Sequence, residues 1–299
     1  MSTGAAVSVA SMAAAALILA SASVIRPRAA AFVDLDAVVL NDDEQPMRGL
    51  TERDFEIREE GQLLPVLTAQ EVTTATFPRT IVVILDDIGV VAGTVNMQRM
   101  ALAFLQPANE NDHVSLLRLS HRDDEPTGHM SDALARIDEY IAGAYPYAGR
   151  ETIQNWLRLV TKISRQVEPL DGRKMIVSIG SPTIFDVIEP QDRTKSLIWP
   201  QWVEALTAAS RSNVSVYVVD PGGVATTRRL SADGLVEKTG GQVFATNNFQ
   251  RVADRIWSDA GHYYIVSYVP ATDERELHAV DLRVTKRGAH VRWRRARGN

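Results

Sequence analysis

From Pro78 onward the chain alternates short apolar runs, rich in β-branched residues, with longer segments of helical periodicity. The strand-like runs cover residues 81–85, 114–119, 175–179, 214–219 and 242–245. The helical segments cover residues 95–105, 132–142, 152–167, 202–211, 230–238 and 251–258. Strands that alternate with helices form mostly parallel sheets, because each helix returns the chain across one face of the sheet. The pattern therefore predicts an α/β fold with a doubly wound, mostly parallel sheet flanked by helices, Rossmann-like in architecture.

β-rich segments flank this alternating region on both sides. Short strand patterns and turn residues at 32–76 predict a small β-rich leader module. Behind the last helix, the β-prone run 263–269 precedes segments 280–285 and 291–293, which predict a C-terminal hairpin around Arg287 and Gly288. A short edge strand is also predicted at 126–130. The predicted organisation is a leader module at 32–76, an α/β domain at 78–270, and a hairpin at 271–299 that packs on the leader module or the domain edge.

The amino-terminal segment predicts export. Residues 5–25 are nearly all apolar and carry no charge, and Arg26 and Arg28 follow them. Small residues at 20–22 and 29–31 offer two cleavage sites of the signal-peptide type, whereas about twenty apolar residues also suffice for a membrane anchor. A start at Met12, inside the run, is a third interpretation. We expect residues 1–28 to be a signal peptide or anchor, the only membrane contact of an exported, periplasmic, secreted or envelope-associated protein.

Composition excludes several functions. The chain has no cysteine, which rules out disulfides, thiolate metal sites and a cysteine nucleophile. Its net charge of −5 gives no electrostatic argument for a nucleic-acid partner. Basic residues crowd the stretch 286–297, with Val291 and Trp293 between them. This pattern indicates a last strand with a solvated basic face, and contact with nucleic acid or lipid headgroups is the alternative interpretation.

Two carboxylates follow the first strand of the alternating region. Asp86 and Asp87 come directly after the apolar run 81–85. Ligands of open α/β sheets bind outside the carboxyl ends of the strands, so these side chains are expected at a functional rim. Segment 86–90 resembles the Asp-x-Ser-x-Ser motif with which von Willebrand factor A (vWA) domains begin their metal-ion-dependent adhesion site. Asp86 matches the first position of that motif, and Gly89 is also retained.

Further motifs extend this resemblance over about residues 32–294. They identify the chain as similar to the bacterial, acidobacterial-type "VWFA-related" proteins, in which a β-rich leader precedes a vWA domain. The residues that carry the resemblance are Gly49-Leu50-Thr51, Asp54-Phe55, Glu59, Gly61, Leu85-Asp86-Asp87, Gly149, Thr152, Gly172-Arg173-Lys174, Val218-Val219-Asp220-Pro221, Thr239-Gly240-Gly241, Tyr264, Tyr268 and Pro270. The resemblance implies a vWA-like sheet with its binding site at the carboxyl rim.

The resemblance also implies a cation site that has lost most of its ligands. In vWA domains, Mg²⁺ or Mn²⁺ is bound by the Asp-x-Ser-x-Ser loop, a threonine and an aspartate, which supply hard oxygen ligands. Thr152 matches the threonine, and Glu151 is an additional carboxylate beside it. The two serines and the second aspartate are replaced by Ile88, Val90 and Ile179. We expect no cofactor, and the alternative is a weakly bound Mg²⁺ or Mn²⁺ at Asp86, Asp87 and Thr152.

No enzyme motif accompanies this rim. The chain lacks a Gly-x-Ser-x-Gly elbow, a phosphate-binding loop and a His-Glu-x-x-His helix, and its six histidines share no metal-binding spacing. We therefore expect a noncatalytic protein-interaction module of adhesion or scaffold type. Cation-dependent adhesion and a metal-assisted hydrolase are the alternatives. The expected partner-binding positions at the rim are Asp86, Ile88, Val90, Glu151, Thr152, Ile179 and Ser181.

Overall fold

The computed structural model describes residues 32–73, 78–88, 93–121, 125–140, 150–180, 197–221, 234–245, 248–271 and 277–297. The chain divides into two compact units, Met1–Ala30 and Ala31–Asn299, and every described residue belongs to the second. The predicted signal or anchor segment, 1–28, lies outside the described residues. Among the helices that are described, none has the length and apolar character needed to cross a membrane.

The described strands are, in chain order, β1 (Val33–Leu40), β2 (Phe55–Glu59), β3 (Gln62–Leu64), β4 (Val66–Thr73), β5 (Arg79–Leu85), β6 (His113–Arg118), β7 (Arg173–Ile179), β8 (Val214–Asp220), β9 (Val243–Ala245), β10 (His262–Tyr268), β11 (His278–Val284), β12 (His290–Trp293) and β13 (Ala296–Arg297). The described helices are α1 (Thr94–Leu105), α2 (Met130–Asp138), α3 (Arg150–Val167), α4 (Trp199–Arg211), α5 (Leu235–Lys238) and α6 (Phe249–Gly261).

Five strands form a parallel sheet in the order β6-β5-β7-β8-β9. Successive side chains of a strand point to opposite faces, and they divide here between two apolar cores. Helices α1, α2 and α6 cover one face, and α3, α4 and α5 cover the other. Every residue of β5, β7 and β8 is buried, which explains their continuous apolar runs. The α/β fold with a parallel sheet between helices is confirmed.

The short edge strand predicted at 126–130 is wrong. Residues 125–129 have no regular structure, and α2 already begins at Met130. Gly128 has a φ of +77°, which interrupts an extended backbone, and Pro126 has no N–H to donate to a neighbouring strand. The segment contacts β6 through one backbone hydrogen bond, from the N–H of Val114 to the carbonyl of Gly128 at 3.3 Å.

Two antiparallel sheets, ordered β12-β1-β10-β4 and β13-β11-β2-β3, enclose a separate apolar core. β10, which the sequence assigns to the domain at 78–270, pairs with the leader strands β1 and β4. The predicted C-terminal hairpin is wrong, because β11 pairs with β2 and β12 pairs with β1. Gly288, with a φ of +73°, lies in the connection that carries the chain from one sheet to the other.

Arginines of the basic tail are directed inward. Arg297 forms a buried ion pair with Glu59 at 2.6 Å, and Arg292 bonds to the buried carboxylate of Asp259 at 2.5 Å. Arg294 donates to the carbonyl of Ser210 at 2.7 Å. A guanidinium can be buried when acceptors replace its water, and each of these three meets such acceptors. The prediction of a solvated basic face is therefore wrong at these positions.

Candidate functional site

The carboxyl ends of β5 and β7 lie side by side and position Asp86. Leu85 is in register with Ile179, and the N–H of Asp86 donates to the carbonyl of Ile179 at 2.9 Å. The carboxylate of Asp86 accepts the N–H of Ile88 at 3.0 Å, which closes the turn after the strand. A methyl group added at Gly180 would lie 2.4 Å from the Asp86 Cβ. Asp86 is 2% exposed, and its position is fixed by its hydrogen bonds with Ile179 and Ile88 and by the close approach of Gly180.

Tyr140, which sequence analysis did not identify as a site residue, forms a hydrogen bond with the same turn. Its hydroxyl donates to the carbonyl of Asp86 at 2.9 Å, and the side chain is buried. Burial raises the pKa of Tyr140, and the negative charges of Asp87 and Asp86 raise it further. The hydroxyl therefore stays protonated and remains a donor to the rim across the physiological range. The sequence predicted a helix over 132–142, whereas α2 ends at Asp138 and Tyr140 follows it.

Asp87 is bonded to the loop that follows β6. Its carboxylate accepts the N–H of Ser120 at 2.8 Å and also the hydroxyl of Ser120. The Ser120 hydroxyl lies 2.7 Å from Nδ1 of His121, whose side chain is 50% exposed. Sequence analysis assigned neither Ser120 nor His121 to the rim. The adjacency of β5 and β6 brings these residues together, because the ends of paired parallel strands share one rim.

Thr152 is buried in the first turn of α3, and its hydroxyl has no hydrogen-bond partner among the described residues. A buried, unpaired hydroxyl costs about 1–3 kcal/mol, so its retention calls for an explanation. Further along α3, Trp156 donates from its indole nitrogen to the hydroxyl of Ser178 at 3.0 Å. That bond joins α3 to β7 one residue before the rim.

The aliphatic replacements at the rim are packed inward. Ile179 is completely buried in the core beneath α1, α2 and α6, so the expectation that it contacts a partner is wrong. Its position on β7 gives it the same face as Met175 and Val177, which belong to that core. Ile88 is half-buried against the core on the opposite face of the sheet. Val90, Ser181 and the side chain of Glu151 lie outside what the structure describes.

The rim residues do not fit the full cation site of a vWA domain. The described positions that should supply a hydroxyl and a second carboxylate are Ile88 and Ile179, which have no ligand atom. The carboxylates of Asp86 and Asp87 already accept N–H and O–H groups of the protein. No group of three or more histidine, aspartate or glutamate side chains comes together within the described ranges. Asp86, Asp87 and Thr152 are the potential oxygen ligands that remain.

No protein-family model matches this chain, and no curated protein matches its sequence. Proximal thread matrix protein 1 from the mussel byssus is similar, with a TM-score of 0.40 and 8% identity over 74% of this chain and 50% of that one. The N-terminal domain of TFIIH p34 gives a TM-score of 0.35 and 12% identity, over 60% of this chain and 95% of that one. The human COPII-coat protein Sec24c gives a TM-score of 0.37 and 11% identity, over 85% of this chain and 49% of that one. The chain thus spans about half the length of the mussel and human proteins.

Proposed function

We propose that this chain is a noncatalytic protein-interaction module of the cell envelope or exterior, built on a doubly wound vWA-type domain. It binds a protein partner at the carboxyl rim of its parallel sheet without a full metal site. The observation that carries this proposal is the bonding of the two rim carboxylates. Asp86 and Asp87 accept donors from their own chain, where a metal-dependent rim would direct them to a cation.

The energetics of the rim favour this proposal over cation binding. A cation at Asp87 would have to replace two hydrogen bonds from Ser120, one from its N–H and one from its hydroxyl, and both are donated to the carboxylate. The aliphatic side chain of Ile88 offers no oxygen in compensation, and hard cations such as Mg²⁺ need near-complete oxygen shells. The rim keeps its hydrogen bonds and remains available to a protein surface.

The accessible part of the rim combines apolar and polar groups. Half-buried Ile88 follows Asp86 and Asp87 on the turn after β5, and exposed Ser120 and His121 lie beside the carboxylate of Asp87. Protein interfaces combine an apolar centre with polar groups of this kind at the edge. The hydroxyl of Ser120 and the imidazole of His121 are side chains that can form hydrogen bonds with a partner.

A pull-down with variants tests the proposal. The full chain, immobilised and exposed to an envelope-protein fraction, should retain one specific partner equally in Mg²⁺ and in EDTA. Ile88→Ala and His121→Ala should each weaken retention, because both remove contacts at the rim. Leu63→Ala, which shortens an exposed apolar side chain on the leader strand β3, is the matched control and should have no effect. Loss of the partner in EDTA, or equal retention by both rim variants, overturns the proposal.

A second candidate function is cation-dependent adhesion through Asp86, Asp87 and Thr152. The buried hydroxyl of Thr152 favours it, because a ligating role would account for the lack of a hydrogen-bond partner among the described residues. In such a site Ile88 would occupy a ligand position without supplying an oxygen, so Mg²⁺ or Mn²⁺ would bind weakly. Direct titration with divalent cations distinguishes the two functions, since only the second predicts a response that depends on Asp86.

A further inference from the structure

Strand β9 ends the parallel sheet with an open edge. It pairs with β8 on one side, and no strand of the described segments pairs with its other side. The N–H of Val218 donates to the carbonyl of Gln242 at 3.1 Å. Because alternate residues of a parallel strand bond to the same neighbour, Phe244 bonds toward β8. The backbone groups of Val243 and Ala245 therefore point outward, where a further strand can accept and donate hydrogen bonds.

A cleft of about 320 Å³ runs along this edge. One wall is the strand itself, where Phe244 packs partly against the core beneath α6. The opposite wall is the first part of α6, and the turn 41–46 of the leader module contributes one residue. The lining residues are Glu44, Gln242, Val243, Phe244, Ala245, Arg251, Val252 and Arg255.

The cleft contains two guanidinium groups on one side of α6. Arg251 is exposed, and within the described parts of the chain no carboxylate lies within ion-pair distance of it. Arg255, one helical turn later, pairs with Glu44 at 2.8 Å and lies 3.6 Å from Asp259. The Glu44 side chain is 64% exposed. Its backbone has a φ of +60°, a conformation that is uncommon for residues other than glycine. One surface carboxylate thus occupies part of a cationic cleft.

We propose that β9 binds an extended acidic segment of a protein partner by strand addition, with the acidic side chains held by Arg251 and Arg255. Main-chain hydrogen bonds to Val243 and Ala245 supply affinity, as in other cases of strand addition. Alternate side chains of the added strand face α6, so glutamate or aspartate at every second position meets the two arginines. The carboxylate of Glu44 is displaced from Arg255 by the incoming acidic side chain.

A labelled peptide tests strand addition directly. The probe is a short fluorescein-labelled peptide in which glutamate alternates with valine, titrated against the full chain by fluorescence polarisation. Arg251→Glu should weaken binding by at least about tenfold, because a charge-assisted hydrogen bond becomes a repulsion. Arg158→Glu makes the same charge change on α3, on the opposite face of the sheet, and should leave the affinity unchanged. Glu44→Gln should strengthen binding a few-fold, because it frees Arg255.

The backbone contribution is tested by blocking hydrogen bonds on each side separately. Ala245→Pro removes an outward N–H at an edge position where proline is tolerated, and it should weaken peptide binding. A peptide N-methylated on the groups that face β9 should also bind weakly, and this measurement does not depend on how a variant folds. The proposal is overturned if the glutamine version of the peptide binds equally, if Arg251→Glu has no effect, or if N-methylation is harmless.

This second surface is independent of the rim. His121→Ala lies at the rim and should leave peptide binding at β9 unchanged. If the rim pull-down fails while the acidic peptide binds wild-type chain and not Arg251→Glu, the rim function falls and the edge site stands. The converse result, a rim partner without any peptide binding, overturns the edge site alone.

Discussion

At the scale of single residues, Gly180 leaves no room for a side chain beside Asp86. Gly180→Ala would place a methyl group 2.4 Å from the Asp86 Cβ, so one of the two strand ends must move. We expect the free energy of unfolding to fall by about 1–3 kcal/mol, as for other overpacked sites. Gly93→Ala is the control, since an added methyl meets no atom within 4 Å there and only the cap of α1 is affected. Equal stability of Gly180→Ala and wild type in urea unfolding would contradict this.

Glu71 gives the leader module a pH dependence. The N–H of Gly49 donates to its carboxylate at 2.9 Å and lowers the pKa of Glu71 below 4.5, and His262 contributes in the same direction. A lowered pKa in the folded state contributes stability above pH 4.5 that is lost as the pH falls through the folded pKa.

Glu71→Gln should therefore be less stable than wild type near neutral pH, and the difference should shrink as the pH falls below 4.5 and through the lowered pKa of Glu71. Thermal unfolding followed by circular dichroism across this range measures the effect. A difference in melting temperature that stays constant between neutral and acidic pH would show that Glu71 is not the titrating group.

Sequence analysis found the acidic residues of the rim but not their partners. Asp86 and Asp87 were predicted because a buried strand ends immediately before them. Ser120 and Tyr140 were missed, because their hydrogen bonds to this turn cross to β6 and α2 and have no local signature. Ile179 was placed correctly at the end of its strand, but the prediction that it contacts a partner is wrong because its side chain is buried, and a strand end does not reveal which face a side chain takes.

At the scale of secondary-structure elements, the parallel strands were predicted most accurately. The runs at 81–85 and 175–179 fall inside β5 and β7, because strands buried on both faces are continuously apolar. The antiparallel pairing was not predictable from local pattern. β1 pairs with β10 and β12, whose residues lie more than two hundred positions away. Periodicity identifies such strands, but it does not specify their neighbours.

A buried ion pair ties β1 to β7. Arg173 bonds to Asp36 at 2.8 Å, and the two side chains are 3% and 4% exposed. Asp36→Ala leaves the Arg173 guanidinium buried without its carboxylate, and we expect a loss of about 3–5 kcal/mol in unfolding free energy. The double variant Asp36→Leu with Arg173→Met should recover most of that loss, because two apolar groups need no ionic partner.

An exposed ion pair provides the control for the variants of the buried pair. Arg165 and Glu204 are 2.9 Å apart, but their side chains are 62% and 51% exposed. Glu204→Ala should change the stability by less than about 1 kcal/mol, because water replaces the lost partner. Chemical denaturation of all three variants and the wild type measures the contrast, and a double variant no more stable than Asp36→Ala would refute the assignment to an uncompensated charge.

At the scale of the whole molecule, strands from both ends of the second unit share one antiparallel core, beside a parallel sheet between helices. The ion pair Arg173–Asp36 and the bond from Arg292 to Asp259 join these two parts. The parallel sheet presents a hydrogen-bonded rim at its carboxyl ends and an arginine-lined edge at β9, where no further described strand pairs. We propose both surfaces as binding sites for protein partners.

The central claim is that the rim binds its partner without the cation chemistry of vWA domains. Isothermal titration calorimetry of the full chain with Mg²⁺, Mn²⁺ and Ca²⁺ tests it most directly, with Asp86→Ala as the paired variant. The account predicts no saturable heat up to millimolar cation, with identical traces for wild type and variant. A saturable signal in the wild type that Asp86→Ala abolishes would contradict the account and establish cation binding at Asp86, Asp87 and Thr152.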